Sequence, residues 1–355
     1  MAGNSFGRIF SVTTWGESHG PALGAVVDGC PPGLPLGPAD IQKDLDRRRP
    51  GRALSSPRAE TDAVEILSGV FQGLTTGTPI SLIIYNRDVR SSDYSEISKL
   101  YRPGHADRTY DQKYGLRDWR GGGRSSARET AARVAAGAVA RKFLEGRGIT
   151  VQAFTLALAG IECARFDADQ IDKNPLYCPD PEAAEKMQAR LQEIRERADS
   201  AGGIVEIRAK GCPPGLGEPV FDKLDARLAA AIMSVGAVKG VEIGEGFRAA
   251  AMTGSRNNDP ITPEGYASNH AGGILGGIST GMDIVLRAAV KPIPSIPRPQ
   301  NTVDSAGNPA VITVKGRHDV SAIPRIVPVL EAMTLLVLAD FMLHPFPKRE
   351  GEQRD

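Results

Sequence analysis

Apolar residues recur along the chain at two spacings, which predict strands and helices. Short runs rich in Val, Ile and Leu and bounded by Gly, Pro and polar residues are typical of β-strands. These runs cover residues 9–13, 22–27, 63–67, 80–85, 151–161, 204–209, 239–243, 284–290 and 311–314. Longer segments with helical spacing predict α-helices at residues 38–48, 127–144, 182–200, 221–234 and 326–343. Because strands and helices do not alternate regularly, the order favours an α+β fold with antiparallel sheets.

The boundaries of the fold can also be predicted from the pattern. No Ser- or Gly-rich linker divides residues 1–344, so we expect a single domain followed by a flexible tail at residues 345–355. The most apolar segment, residues 326–343, contains Glu331 and Asp340, which indicates a buried helix and not a membrane span. The first residues lack the basic and apolar regions of a signal peptide. We therefore expect a cytoplasmic protein.

One pentapeptide occurs twice. Cys-Pro-Pro-Gly-Leu stands at residues 30–34 and again at residues 212–216, each time after a predicted strand and before a predicted helix. Repetition in the same context suggests two related halves with pseudo-twofold symmetry. Chance repetition of a turn peptide is the alternative.

The composition is that of an ordinary globular protein. Hydrophobic residues make up 41% and charged residues 24% of the 355 residues, which excludes a wholly disordered chain and a membrane bundle. The 43 basic and 42 acidic residues leave a net charge of +1, which argues against a nucleic-acid binder. The four cysteines form no Cys-x-x-Cys pair and no histidine spacing suits a metal, so we expect reduced thiols and no metal site.

Two motifs have chemical meanings that their surroundings do not support. Gly-Glu-Ser-His-Gly at residues 16–20 fits the nucleophile elbow of a serine hydrolase, but Pro21 and a second strand follow where the elbow needs a helix. Residues 244–249 fit a dinucleotide fingerprint, without room for the helix that would bind the pyrophosphate. We therefore expect neither a serine hydrolase nor a dinucleotide site at these positions.

The strongest local signal is the run of three glycines at residues 121–123, which leads into a predicted helix. Ser126 and Glu129 form a capping-box pattern, which predicts that the helix begins there. Free N–H groups at the positive end of a helix bind phosphate or carboxylate, and Arg124 and Arg128 flank this end. A plain capped helix with solvated arginines is the alternative.

Arginines and histidines in loops supply further candidate groups. Arg-rich stretches at residues 47–52 and 87–128 suit planar oxyanions, and the balanced overall charge suggests a small ligand with several anionic groups. Four of the five histidines stand in polar loops that contain glycine, which favours acid–base chemistry. Gly-rich residues 271–277 and Pro-rich residues 291–295 are typical of the walls of a cofactor site. These patterns indicate an enzyme that holds a multiply anionic small molecule.

The motifs, in this order, resemble one family, chorismate synthase. They stand at residues 16–20, 44–51, 102–107, 121–130, 238–243, 268–277 and 315–319 and span nearly the whole chain. The resemblance implies a β-α-β sandwich, with helices between antiparallel sheets, assembled as a homotetramer.

The resemblance also implies a reaction, the last step of the shikimate pathway. An anti-1,4-elimination removes phosphate and a C6 hydrogen from 5-enolpyruvylshikimate 3-phosphate and gives chorismate. Reduced FMN is required although no net oxidation occurs, because the flavin lends electron density as the C–O bond breaks and its N5 then takes the proton. The phosphates and carboxylates of these two molecules fit the arginine clusters.

Roles for single residues follow from the resemblance by position. His19 would protonate the departing phosphate, and Asp319 would help to handle the N5 proton. His105 would lie near the N1–C2=O edge of the flavin and supply a proton or stabilise its charge. The implied flavin contacts are Arg124, Ser125, Ser126, Gly236, Ala237, Gly276, Lys291, Pro292, Ile293, Pro294, Ser295 and Arg317. The implied substrate contacts are Ser18, Arg48, Arg49, Arg52 and Arg128.

The chain departs from the family pattern at three places. Gly236 stands where many members have Asn, which removes a side-chain contact to the flavin, and Val320 stands where many have Pro, which loosens the loop around Asp319. Near Arg52 the family often has a further basic residue whose equivalent here is uncertain.

The sequence leaves the source of electrons open. The chain would either reduce its own flavin with NAD(P)H or rely on an external flavin reductase, and the lack of a convincing dinucleotide site favours the reductase. Two other functions also stay open: a non-catalytic binder of phosphorylated ligands or RNA, and a serine hydrolase. Scarce aromatic residues, 5% of the chain, weigh against the RNA binder.

Overall fold

The computed structural model of the chain describes residues 3–49, 61–87, 98–314 and 319–344. Its α-helices are α1 (Pro38–Arg48), α2 (Asp107–Tyr114), α3 (Thr130–Glu145), α4 (Pro181–Glu196), α5 (Leu224–Met233), α6 (Gly254–Asn257) and α7 (Ile323–Met342). Its strands are β1 (Ser5–Phe6), β2 (Ser11–Gly16), β3 (Ala22–Asp28), β4 (Val64–Ile66), β5 (Val70–Phe71), β6 (Leu74–Thr75), β7 (Ile80–Tyr85), β8 (Thr150–Leu158), β9 (Ile161–Glu162), β10 (Gly203–Lys210), β11 (Val238–Ile243), β12 (Ile261–Thr262), β13 (Gly265–Tyr266), β14 (Ile274–Leu275), β15 (Ile278–Ser279), β16 (Ile284–Val290), β17 (Gln300–Val303) and β18 (Pro309–Ile312).

Two antiparallel sheets of five strands each frame the molecule. The strand order is β1-β2-β3-β7-β4 in the first sheet and β11-β16-β10-β8-β9 in the second. The pairings within both sheets are antiparallel. The antiparallel sheets that the order of elements predicts are therefore confirmed.

Helices lie between the two sheets. α3 packs on β2, β3 and β7 of the first sheet, α7 packs on β8 and β10 of the second, and α3 and α7 pack against each other. α1 packs against α3, and α5 packs against α7. This arrangement confirms the α+β class.

The alternation of side chains along each strand decides which face of a sheet meets the helices. In β7, Ile80, Leu82 and Ile84 are fully buried, whereas Ser81 and Ile83 between them are partly exposed. A strand points successive side chains to opposite faces. One face of each sheet therefore covers the helices.

α7 is buried along almost its whole length although it carries two carboxylates. Glu331 accepts hydrogen bonds from the guanidinium groups of Arg47 and Arg141 and from the backbone N–H of Ala153. Asp340 accepts three backbone N–H groups from the chain just before β2. Both carboxylates thus have hydrogen-bond donors, as burial requires. The part of the chain described here contains no helix that is long and apolar enough to cross a membrane.

Several strand boundaries differ from the prediction, and for two of them the structure shows the cause. β2 begins at Ser11, two residues later than expected, because the preceding N–H groups donate to Asp340 and not to a neighbouring strand. The strand predicted over residues 151–161 ends at Leu158, because Ala159 adopts a φ of 53° and turns the chain into β9.

The start of α3 also differs. A 3-10 turn, Ala127–Glu129, comes before the α-helix, which begins at Thr130. Ser126 accepts a backbone N–H of that turn, as a cap does. The second half of the predicted capping box is wrong, because the Glu129 carboxylate accepts from Thr14 Oγ1 at 2.9 Å instead of from the cap.

Candidate active site

A cavity of about 540 Å³ lies beside the N-terminal ends of α3 and α7. Its walls come from segments that are distant in sequence: residues 102–106, 121–133, 234–237, 291–295 and 319–329. The volume is in the range of cavities that bind cofactors and small substrates.

Two histidines approach the glycine run, of which Gly121 lines the cavity. Gly121 and Gly122 have φ angles of 62° and 88°, which favour glycine. A Cβ on Gly121 would lie 2.6 Å from His19 Nε2 and 2.9 Å from Ser18 Oγ, and a Cβ on Gly122 would lie 3.0 Å from His105 Cε1. The absence of side chains here lets both imidazole rings approach the same loop.

A carboxylate lies behind His105. The Oδ1 of Asp107 is 3.0 Å from His105 Nδ1, and Arg102 donates to the same carboxylate at 2.7 and 2.8 Å. Burial works to raise the pKa of the Asp107 carboxyl, but hydrogen bonds from Arg102 and His105 hold that pKa well below its usual range. Burial lowers the pKa of His105, so its ring is neutral at pH 7.

A second buried carboxylate, Asp62, joins two arginines. It accepts from Arg48 Nη1 at 2.9 Å and from Arg128 Nη1. Burial works to raise the pKa of Asp62, but the charges of Arg48 and Arg128 hold it below its usual range. Burial lowers the pKa of Arg48 to about 9. Arg128 lines the cavity, whereas Arg48 lies behind it.

Two further cations face the cavity. Arg325, in the first turn of α7, lies 3.0 Å from Asp319, and both residues line the cavity. The Nε of Arg325 is buried without a hydrogen-bond partner among the residues that the structure describes. Lys291 Nζ donates to the C=O of Gly104 at 2.5 Å. Such a set of cationic donors suits an anionic ligand, and no group of side chains suited to a metal ion occurs in the described ranges.

Comparisons with known proteins identify the family. A family model described as chorismate synthase matches residues 10–343. The chorismate synthase of Syntrophobacter fumaroxidans is 73% identical over 98% of this chain and 99% of that protein. The chorismate synthase of Desulfosudis oleivorans is 62% identical over 97% of this chain and 98% of that protein. The chain belongs to the chorismate synthase family. A crystal structure of a chorismate synthase agrees, with a TM-score of 0.76 and 36% identity over 95% of this chain and 93% of that chain.

Membership of the chorismate synthase family fixes the activity. The chain is a carbon–oxygen lyase of the shikimate pathway that eliminates phosphate from 5-enolpyruvylshikimate 3-phosphate and forms chorismate. This confirms the function that the ordered motifs predicted and removes the serine hydrolase and the non-catalytic binder from consideration.

Most of the flavin contacts that the chorismate synthase resemblance predicts line the cavity. They are Arg124, Ser125, Ser126, Gly236, Ala237, Lys291, Ile293, Pro294 and Ser295. His105, Asp319 and Arg128, predicted for catalysis and substrate binding, line it too. The fold thus brings these residues together, while their contacts with ligands stay predictions.

The other described candidates do not line the cavity; they are His19, Ser18, Arg48, Arg49, Gly276 and Pro292. His19 lies directly behind the lining residue Gly121. Arg49 is exposed and lies 3.4 Å from Asp46. Gly276 occupies the turn between β14 and β15.

The remaining predictions concern residues outside the described ranges and the departures from the family pattern. Arg52, Arg317 and the tail at residues 345–355 lie outside the described residues. Of the departures from the chorismate synthase pattern, Gly236 lines the cavity. Val320 is buried and its C=O accepts a backbone N–H at 2.9 Å, so this end of the loop is held in place without proline.

Sequence reasoning missed three residues of the site, Asp62, Asp107 and Arg325. Asp107 had a signal, because it stands two residues after His105 in the motif at residues 102–107, but the sequence did not predict the helix α2 that it begins. Asp62 and Arg325 lie outside every motif. Their roles are visible only once the fold has brought distant segments together.

Proposed function

We propose that the chain carries out its elimination with reduced FMN in the 540 Å³ cavity and with His19 and His105 as the acid–base groups. One observation carries this proposal: both rings lie against neighbouring glycines of a single loop of the cavity. Two histidines placed in this way can serve two ligands held on the same loop.

The lining residues suit a flavin and an anionic substrate. Ile293 and Pro294 offer apolar surface for a flat ring, and Ser125 offers a hydroxyl group at its edge. Arg128 and Arg325 supply positive charge for phosphate and carboxylate groups. When bound, reduced FMN supplies electron density to the C–O bond that breaks.

Proton transfer to the departing phosphate is assigned to His19, acid–base work at the flavin edge to His105, and help with the proton from C6 to Asp319. His19 lies in the turn between β2 and β3, against Gly121, with Ser18 beside it. A proton donated by His19 makes the departing phosphate a better leaving group. Asp319 lines the cavity beside Arg325 and is the candidate for handling the proton that leaves C6.

Arg48 is proposed to have a structural role, which differs from the role that the resemblance implied. Its fully buried guanidinium donates to Asp62 and to two oxygen atoms at the start of α3. It therefore supports the wall that presents Arg128 to the cavity. Arg49 and Arg52 stay candidates for contacts with the substrate.

An anaerobic assay tests the cofactor and the substrate together. The purified chain is mixed with 5-enolpyruvylshikimate 3-phosphate and chemically reduced FMN, and chorismate absorbance and phosphate release are followed. We expect equal amounts of both products, and no product when FMN is omitted or left oxidised. Turnover without reduced FMN would contradict the proposed cofactor.

The assembly and the supply of electrons are also proposals. We propose a homotetramer in the cytoplasm, served by an external flavin reductase. The pattern at residues 244–249 leads into the 3-10 helix Gly246–Ala251 and not into an α-helix, which favours an external reductase over binding of NADP(H). Light scattering measures the mass of the assembly, and oxidation of NADPH by the purified chain with FMN would argue against the reductase.

We further propose that residues 1–344 form one domain with two related halves. Both halves share the order strand, strand, pentapeptide, helix, strand, hairpin, strand, into which the second half inserts β9, α4, α6 and the additional hairpin β12–β13. The matching strands then have the same order, β2-β3-β7-β4 in the first sheet and β8-β10-β16-β11 in the second. Buried side chains of both sheets belong to one continuous cluster, which supports a single domain.

Equivalent hydrogen bonds support the same relation. Thr75 Oγ1 accepts from the N–H of Leu34 at 2.9 Å and donates to the C=O of Pro31 at 2.7 Å, which fixes the first pentapeptide. Ser279 Oγ makes the same two bonds to the second pentapeptide, at 2.8 and 2.6 Å. The repeated pentapeptide is thus held by a hydroxyl from the hairpin of its own half.

A further inference from the structure

We infer that Asp107 is a positioning residue that decides which nitrogen of His105 faces the cavity. The inference rests on the proposed function, in which His105 works beside the bound ligands. It concerns a residue that lies behind the reacting groups and does not itself line the cavity.

Asp107 is held in place by a full set of donors. It is the first residue of α2, and its side chain is 3% exposed. Arg102 donates to it from its backbone N–H at 3.1 Å and from Nε and Nη2 at 2.7 and 2.8 Å. Arg117 Nη1 lies 3.2 Å away. Because these donors keep the carboxyl ionised, Asp107 can only accept hydrogen bonds.

The contact between Asp107 and His105 favours one tautomer of the imidazole. Nδ1 has no regular hydrogen-bond partner among the described residues, but the ionised carboxylate 3.0 Å away repels a lone pair there and so favours a hydrogen on that nitrogen. Nδ1 is also sealed from solvent, so the other ring nitrogen is the one that can reach a ligand. In the neutral ring Nε2 then carries a lone pair. His105 therefore accepts a hydrogen bond from a bound molecule and donates one only after it has been protonated.

The charged groups around His105 set its response to pH. Burial lowers its pKa, Arg102 and Lys291 lower it further, and Asp107 opposes them. A proton taken up at Nε2 produces an imidazolium that Asp107 stabilises. Removal of the Asp107 charge should therefore lower the pKa of His105 and allow the ring to adopt the other tautomer.

Nitrogen NMR of protein labelled with ¹⁵N-histidine tests the inference without substrate or flavin. We expect the neutral His105 of the wild type to carry its hydrogen on Nδ1, with the resonances assigned by their loss in His105→Gln. In Asp107→Asn the amide oxygen is drawn to Arg102 and its NH₂ group faces the ring, so the hydrogen should move to Nε2 and the pKa should fall. Asp111→Asn is the control, because Asp111 also lies on α2 but accepts from Tyr101.

The wild-type spectrum alone can overturn the inference. A neutral His105 with its hydrogen on Nε2 would contradict it, even if Asp107→Asn did not fold. Kinetics give a second readout: kcat of Asp107→Asn should fall by about 10²- to 10⁴-fold with little change in KM and with a shifted pH profile. A wild-type chain that shows the predicted tautomer but needs no FMN would leave this inference intact and overturn only the proposed function.

Discussion

At the scale of single residues, the site depends on two glycines, Gly121 and Gly122, that have no side chain. Gly121 and Gly122 occupy positions where any Cβ would meet a histidine ring. The two residues also adopt positive φ angles, which cost other residues about 1–2 kcal/mol. The effects of steric contact and of backbone strain on a substituted residue can be measured separately. Gly115 also has a positive φ, but a Cβ there would lie in open space.

Gly121→Ala should lower kcat by about 100-fold or more, because the new Cβ would displace His19 by a large fraction of an ångström. Gly115→Ala is the matched control, since Gly115 has a φ of 70° and open space where its Cβ would lie. Both variants should lose similar stability in a thermal melt. Equal turnover by the two variants would show that His19 does not depend on this contact.

Asp62→Asn should destabilise the fold by about 3–5 kcal/mol at pH 7, because it leaves two buried arginines without their carboxylate. The lowered pKa of Asp62 means that its contribution is present above the ordinary carboxyl pKa of about 4 and is lost as the pH falls through the lowered value. The difference in unfolding free energy between wild type and variant should therefore shrink in acid. Urea titrations from pH 7 to pH 3 measure it.

The control for this experiment is Asp46→Asn, which removes an exposed carboxylate that pairs with Arg49. It should change stability by less than about 1 kcal/mol at every pH. A deficit of Asp62→Asn that stays constant down to pH 3 would argue that the ion pairs are not its cause.

Site residues could be predicted where the functional groups lie within one short sequence motif. The motif at residues 102–107 led to His105, and the glycine run led to Arg124; Asp107 stands in the same motif, but its contact with His105 was missed. Asp62 could not be predicted, because its pairing with Arg128 joins residues 66 positions apart. No local pattern marks such a pair.

At the scale of elements, the centre of the molecule depends on the contact between α3 and α7. A Cβ on Gly137 of α3 would lie 2.4 Å from the Cβ of Ala332 on α7. Small side chains at this crossing let the two helices approach closely. The close approach in turn positions the N-terminal ends of both helices, which carry cavity residues.

Gly137→Ala should therefore destabilise the fold by about 1–3 kcal/mol through overpacking, although alanine is the better helix former. Gly146→Ala, at the end of the same helix, is the control, because its φ of −62° and its nearest contact at 3.8 Å accommodate a methyl group. Denaturant unfolding compares the two variants. A stabilised Gly137→Ala would show that the helices can move apart without loss.

Most elements could be predicted because their hydrophobic periodicity reflects burial on one face. The strand at Ile80–Tyr85 and the helix at Pro38–Arg48 have the predicted bounds. Boundaries set by distant groups could not be predicted. β2 starts late because Asp340, more than 300 residues away, takes the N–H groups that come before it.

At the scale of the whole molecule, the proposed repeat makes a prediction about stability. Thr75→Val and Ser279→Ala each remove a hydroxyl that satisfies one N–H and one C=O of a pentapeptide. Each should lower the unfolding free energy by about 1–3 kcal/mol, and the two losses should be similar. Urea denaturation measures both, and a loss confined to one half would contradict the equivalence of the two hydroxyl groups.

The central claim is that His19 and His105 act on ligands held in one cavity, and rates with reduced FMN under anaerobic conditions test it most directly. His344→Gln is the control, because His344 follows the C-terminal end of α7, which lies about 20 Å along the helix from Val329, the last residue of α7 that lines the cavity. The account predicts that His19→Ala and His105→Ala each lose about 10²–10⁴-fold in turnover while they stay folded, and that His344→Gln turns over normally. Near-normal turnover of folded His19→Ala and His105→Ala would contradict it.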